Sequence, residues 1–179
     1  MKIKKQWAMP NKKTFDIKPI TEFIEKHITM GLWLDPFSNQ SRFSSRTVTN
    51  DLNPAFKCDY NLPAIEFLKL FSDCSVDGVL FDPPYSPRQI KECYENIGLR
   101  VTQKDTQSKF YSEIKNEIAR ILKPKGICIS FGWNSAGIGK KRGFKQQEIL
   151  LVAHGSHHND TICVFEYKIE NTIQLNLKY

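Results

Sequence analysis

Four consecutive residues, Asp82-Pro83-Pro84-Tyr85, set a carboxylate, two rigid imino acids and an aromatic ring at the end of a short apolar run, Val79-Leu80-Phe81. The run reads as a buried strand because its residues are apolar and β-favouring. It must stop at Pro83, since proline has no N–H to give to a ladder. The acid therefore stands at a strand's carboxyl tip, where open α/β sheets bind ligands. A carboxylate and a backbone carbonyl held side by side can accept both N–H bonds of a planar amine. Such an amine is a poor nucleophile while its lone pair is delocalised into a ring, and two acceptors favour a more tetrahedral nitrogen. Prolines fix the carbonyl in advance, which is electrostatic preorganisation, and Tyr85 offers a face on which a base can stack. Methylation of an exocyclic amine on a planar base is the chemistry that suits this set. The competing structural reading is a strand capped by a Pro-Pro turn with Tyr85 packed beside it.

Other polar groups recur at predicted strand ends. Leu32–Phe37 reads as a first strand carrying Asp35, running into Ser38-Asn39-Gln40-Ser41-Arg42-Phe43. Arg46–Pro54 reads as a second strand ending on Asn50 and Asp51. In nucleoside-binding α/β domains a carboxylate at this tip takes the ribose hydroxyls; an Asx turn before Pro54 is the structural alternative. Asp59 precedes a helix from Pro63 to Phe71 and could equally serve its N-cap region. The stretch Gly132–Phe144 holds Trp133, Asn134, Ser135, several glycines and the cations Lys140, Lys141 and Arg142. It reads as a phosphate grip at a strand's carboxyl end, or as a solvated glycine loop. His154, His157 and His158 lie in one turn, but no cysteine or carboxylate stands near them at zinc-like spacing, so no metal is expected.

The elements that would position these groups alternate along the chain. Ile20, Phe23, Ile24 and Ile28 form a helical stripe after Pro19, and the helix is expected from Ile20 to about His27. A short helix is expected from Ser86 to Tyr94. Gly98–Lys109 is polar and aperiodic, and reads as a surface loop that serves as a lid or touches the target strand. Phe110, Ile114, Ile118, Ile121 and Leu122 keep a 3.6-residue beat, and Lys123-Pro124-Lys125-Gly126 should stop that helix. Ile127–Phe131 reads as a buried strand, and Glu148–Ala153 with Thr161–Tyr167 as a closing antiparallel hairpin. The sum is a Rossmann-like three-layer αβα sandwich with a mostly parallel sheet.

At 179 residues the chain fits one domain. Residues 1–13 read as a basic arm with Trp7 and Pro10, either a frayed terminus or a lysine-rich strip for phosphates. Residues 14–179 read as a single catalytic domain with no separate target-recognition domain. A net charge of +7 hints at a polyanionic partner. Five scattered cysteines without a CxxC pair suit reduced thiols and a cytoplasmic location. No apolar run approaches the roughly 18 residues of a membrane span, and Met1–Lys5 is not followed by the apolar core of a signal peptide.

From Thr14 to about Tyr167 the chain resembles the catalytic core of class I S-adenosylmethionine-dependent methyltransferases. Asp82-Pro83-Pro84-Tyr85 resembles the signature of amino-methyltransferases, most closely the DNA adenine-N6 enzymes, although guanine-N2 methyltransferases of ribosomal RNA carry it too. Trp133-Asn134-Ser135 and the His154–Asp160 turn look like those of small phage- or mobile-element-type adenine methylases. The resemblance implies that Asp35-Pro36-Phe37 opens the cofactor loop, with the carboxylate on the methionine ammonium and Thr14 and Phe15 beside the methionine part. It implies Asn50 and Asp51 at the ribose, Asp59 near the cofactor's adenine amine, and Asp82 bordering both cofactor and target. Trp133, Asn134, Ser135, Lys140, Lys141 and Arg142 would touch nucleic acid. The cofactor loop departs from the family in lacking glycines; small polar residues replacing them is the favoured outcome, and weakened or lost cofactor binding the other. The implied activity is methyl transfer from S-adenosylmethionine to adenine N6 in DNA. An RNA base-amine methyltransferase comes second, and a non-catalytic nucleic-acid-binding subunit is the reading from another class. Specificity would come from the 98–109 and 133–144 loops, the basic arm, a partner subunit or a homodimer.

Overall fold

A computed structural model of the protein describes residues 1–95, 97–98, 108–155 and 158–170. Its strands are β1 (Lys2–Trp7), β2 (Trp33–Asp35), β3 (Val48–Thr49), β4 (Val76–Phe81), β5 (Leu122–Gly132), β6 (Phe144–Ala153) and β7 (Thr161–Lys168). Its helices are α1 (Lys18–His27), α2 (Ala64–Lys69), α3 (Pro87–Glu95) and α4 (Ser108–Ile121). Among the described residues the strands form one sheet in the order β1-β6-β7-β5-β4-β2-β3. Neighbours are parallel except β7, which runs antiparallel to β5 and β6. This is the Rossmann-like arrangement with a closing antiparallel pair that the alternation of elements predicts.

Both faces of the sheet are covered, which is why Val79-Leu80-Phe81 of the central strand β4 is apolar and buried on both sides. On one face Ile20, Phe23 and Ile24 of α1 pack with Leu80, Ile129 and Val152. On the other, Phe67 and Leu68 of α2 and Ile114 and Ile118 of α4 pack with Val79, Phe81 and Cys128. Leu80 and Val79 thus face opposite ways, as a two-residue period requires. Trp33 is wholly buried and lies over Gly78, its register partner on β4. A Cβ at Gly78 would stand 2.3 Å from the indole, so only glycine admits the ring. These layers fix the tip of β4, and with it Asp82.

Three elements differ from the sequence reading. The second strand shrinks to two residues plus an isolated parallel bridge between Asn50 and Tyr60. Lys123-Pro124-Lys125-Gly126 does not separate helix from strand; it is an excursion within β5, whose register against β4 jumps from Val76↔Leu122 to Gly78↔Ile127. Lys125 sits there at φ +65°, so proline and glycine interrupt the ladder without ending it. Within the segment read as a basic arm, Lys2–Trp7 pairs in parallel with β6, from Lys2↔Glu148 to Trp7↔Ala153. Of the expected 98–109 loop, residues 99–107 lie outside the described residues, as does His157. Among the described residues no helix is long and apolar enough to cross a membrane.

Candidate active site

Strands β2, β3, β4 and β5 all end on one edge of the sheet, and the segments after β2, β3 and β4 meet around a cavity of about 430 Å³. That volume lies within the usual range for small-molecule sites, about 300–1,000 Å³. Asp82 to Tyr85 form one wall, Thr14, Phe37 and Asp51 another, and Leu62, Ile90 and Phe110 add apolar surface.

Asp82 follows directly on β4. Burial pushes its carboxyl up to about 6, while the Tyr85 and Thr14 hydroxyls pull it down. The Tyr85 hydroxyl donates to Asp82 Oδ1, so the ring is tethered to the acid it was expected to work beside. Apart from Thr14, the struts of the turn come from residues given no role in the site by the sequence reading. The Tyr85 N–H donates to Gln89 Oε1 at 2.6 Å, and the Tyr111 hydroxyl donates to the Pro84 carbonyl. Among the described residues no donor takes the Pro83 carbonyl, which remains free to accept. Ser86-x-x-Gln89 is a capping-box spacing, and the Gln89 N–H does donate to Ser86 Oγ at 3.2 Å. That pattern was a usable signal for Gln89; nothing local pointed to Tyr111, 27 positions from its partner.

The opposite wall is built by the loop after β2. Asn39 and Gln40 hold φ of +39° and +56°, the left-handed region that favours glycine. The loop is tied down by Asn50 and Asp51. The Ser38 N–H donates to the Asn50 carbonyl at 2.9 Å and the Asn39 N–H to Asp51 Oδ2 at 3.0 Å. The Asn50 side chain spends its whole amide on Pro36 and Leu62, so it braces the site and has no donor to spare. Asp51 lines the cavity, and burial raises its pKa despite donors from Asn53 and Asn39.

The remaining predicted residues divide. Pro36 and Phe37 line the cavity. The Phe15 ring belongs to the core, packed 4.9 Å from Phe131 and 6.0 Å from Phe43. Asp35 is fully buried, and neither of its carboxyl oxygens has a hydrogen-bond partner. Burial pushes it up to about 8, with the nearby Ser41 hydroxyl pulling down and the Asp82 charge pushing up. Asp59 does not face the cavity: its Oδ2 takes the Thr49 N–H and hydroxyl, both at 2.8 Å, which lowers its pKa.

The Trp133–Phe144 stretch does not act as one patch. Trp133 stands at the edge, 5.7 Å from the Tyr85 ring and edge-on to it, with Asn134 and Ser135 exposed beside it. Because β6 is parallel to β5, the chain must then cross the sheet to its amino end before β6 can start. Ile138 N–H donates to the buried Glu166 on the way, and Gly137 admits that contact, since a Cβ would lie 2.5 Å from the carboxylate. Lys140, Lys141 and Arg142 consequently lie away from the carboxyl edge. Arg142 is engaged with Asn116 at 2.7 Å and Ser112 Oγ at 2.8 Å on α4. His154 is a buried staple, one ring nitrogen 2.8 Å from the Ala8 carbonyl and the other 2.9 Å from Thr161 Oγ1.

No known protein-family pattern matches the chain, and no curated protein matches it. Solved structures do. The chain is similar to 1,6-didemethyltoxoflavin-N1-methyltransferase of Burkholderia thailandensis, solved with 1,6-didemethyltoxoflavin and S-adenosylhomocysteine bound, with a TM-score of 0.60 and 12% identity over 86% of this chain and 78% of that one. It is similar to a SAM-dependent methyltransferase from Archaeoglobus fulgidus, with a TM-score of 0.57 and 11% identity over 84% and 92% of the two chains. It is also similar to the N-methyltransferase NodS from Bradyrhizobium japonicum WM9, with a TM-score of 0.55 and 8% identity over 86% and 94%. At these identities the likeness establishes the fold: a class I S-adenosylmethionine-dependent methyltransferase α/β fold with a mixed, mostly parallel sheet.

Proposed function

We propose that the protein transfers a methyl group from S-adenosylmethionine to the exocyclic N6 amine of adenine in DNA. The observation that carries this reading is a shared cavity into which the Asp82–Tyr85 turn and the Phe37–Asp51 wall both open. The S-adenosylhomocysteine bound in the Burkholderia neighbour supports the choice of donor, and that enzyme's N1 specificity supports a nitrogen acceptor. The net charge of +7 supports a polyanionic substrate.

The residues present fit the cofactor. Asp51 offers carboxylate oxygens at the strand tip where ribose hydroxyls are taken. Phe37 and Leu62 give apolar surface for a purine. Asp35, buried without a partner at the root of the loop, is a carboxylate that a nearby ammonium group would satisfy. When bound, S-adenosylmethionine supplies an electrophilic methyl group on a sulfonium sulfur. The chain's own part is to hold the acceptor. Asp82 takes one N–H of the target amine and the Pro83 carbonyl the other, localising the lone pair on nitrogen. Gln89 and Tyr111 keep the turn rigid, so the acceptors are aimed before substrate arrives. Tyr85, backed by Trp133, forms a wall for the base, which must leave the helical stack at a cost of a few kcal/mol.

Incubating the protein with methyl-labelled S-adenosylmethionine and DNA, total RNA or ribosomes tests the reading. Label recovered as N6-methyladenine in DNA is the expected result, with S-adenosylhomocysteine binding visible by calorimetry. Label in RNA alone would reassign the substrate. No transfer and no heat would leave a non-catalytic nucleic-acid-binding subunit. Asp82→Ala should cut methyl transfer by about 100-fold or more while S-adenosylhomocysteine still binds; wild-type turnover in that variant would refute the assignment.

A further inference from the structure

We infer that the end of β1 and the strap joining it to Thr14 form a ledge for the DNA strand flanking the target adenine, with Trp7 as a stacking platform and Lys12 and Lys13 as phosphate contacts. The inference rests on the DNA reading above and adds residues that reading does not use.

The placement follows from strand direction. β1 is parallel to β6, so Trp7, opposite Ala153, reaches the same carboxyl edge as Asp82 and Trp133. Trp7 is 65% exposed and Met9 68%, a large apolar exposure at the β1 end of the sheet. The indole is nonetheless seated: a Cβ on Gly155 would stand 3.4 Å from its Nε1, so the β6–β7 turn lies against it. The strap is pinned at both ends. Ala8 N–H donates to the Ala153 carbonyl at 3.0 Å and its carbonyl meets His154. At the far end Asn39 Nδ2 donates to the Lys12 carbonyl at 3.3 Å, Lys12 lines the cavity, and Thr14 bonds Asp82.

The charges favour a polyanion over an apolar partner. Lys12 and Lys13 are exposed, and among the described residues neither ammonium has an acidic partner, whereas Lys4 and Lys26 are both paired with Glu148. Lys140 to Arg142 lie off this edge, whereas Lys12 of the strap lines the cavity itself. Aromatic faces interleaved with free cations are how single strands are held without sequence readout. From β4 to β1 the edge spans four strand spacings, about 19 Å at about 4.8 Å each. At the about 3.4 Å per phosphate of a stacked strand, that is at most about five to six nucleotides. Trp133 would then meet a base next to the target, and Trp7 one near the far end of that footprint.

The test is anisotropy titration of the full chain, with S-adenosylhomocysteine present, against fluorescein-labelled single-stranded DNA containing one adenine and against the matching RNA. Trp7→Ala should weaken DNA binding roughly 5- to 150-fold, and Trp7→Phe should restore most of it. The Lys12→Ala/Lys13→Ala double variant should flatten the dependence of log K on log salt by about 0.7 per lysine. Melting temperature and S-adenosylhomocysteine affinity of the Trp7 variants should match wild type, which excludes a folding defect. Wild-type affinity and salt slope in these variants, with DNA still methylated, would overturn the ledge and leave the activity standing. Equal weakening by Trp7→Phe and Trp7→Ala would overturn the stacking role. Binding of the RNA but not the DNA would overturn the occupant, and a wild type that holds neither would overturn ledge and DNA reading together.

Discussion

Asp82 is pulled in two directions: burial raises its pKa to about 6, and the Tyr85 and Thr14 hydroxyls lower it. Only the ionised acid accepts freely from the amine, so the methyl-transfer rate should climb with pH through about 6 and level off above it. Tyr85→Phe deletes one of the lowering hydrogen bonds. The inflection should then move up by about one pH unit, with a several-fold loss of rate at neutral pH. A pH profile of single-turnover rates checks this, and an unmoved inflection would show that Tyr85 does not set the ionisation. Asp82 was legible because an acid, a ladder-breaking proline pair and an aromatic are contiguous, and their chemistry is local. Asp35 was legible as a residue but not in its state, since full burial without a partner is decided by what packs around it. Tyr111 was illegible for the same reason, its partner lying on another element.

The loop after β2 shows what the absence of glycine means there. Gln40 holds φ +56° without the freedom of glycine, a conformation that strains an ordinary side chain. Gln40→Gly should leave stability unchanged or raise it by up to about 1 kcal/mol, relief of strain outweighing the added freedom of the unfolded chain. Gln40→Val should lower it by about 1–3 kcal/mol, because a branched Cβ tolerates positive φ worst. Urea melts of the two variants decide the point; equal stabilities would mean the loop is relaxed as it stands. Backbone sign is not written in residue type, which is why the sequence left two outcomes open at this loop. Helices were read more securely, because Ile114, Ile118 and Ile121 repeat at the helical period and bury one stripe. The Lys140–Arg142 group was misplaced by treating Trp133–Phe144 as a loop at one edge. Because β5 and β6 flank β7 and run the same way, those residues must traverse the sheet.

Three buried acids make the folded protein sensitive to alkali. Asp35, Asp82 and Glu166 are raised to about 8, 6 and 7, from an unfolded value near 4. Between about pH 4 and 8 the folded chain therefore binds more protons than the unfolded one, so these groups lose stability as pH rises. His27 acts oppositely: its pKa is lowered, chiefly by burial, so its contribution is lost as pH falls below about 6.5. With three such acids against one histidine, the melting temperature should fall from about pH 5 through neutral towards about pH 8.5. Asp35→Asn should flatten that fall. Fluorimetric melts across pH give the answer, and a melting temperature that climbs from neutral into alkali would contradict it. The fold class could be read from alternation, and so could the closing hairpin of β6 with β7; the other borders could not, because they depend on pairings far apart in sequence.

The pairing of β1 with β6 has a further consequence, for the making of the molecule. Lys2 and its register partner Glu148 are 146 positions apart. At about 5–20 residues per second of synthesis, the first strand waits about 7–30 s before the strand it needs exists. During that wait its backbone is an open template for any other extended chain. Lys2, Lys4 and Lys5 make it a poor one, since lysines on a free edge discourage strand addition. The residues that keep the nascent strand solitary hand it on to β6, and what they have guarded in the meantime becomes the outer seam of the finished sheet.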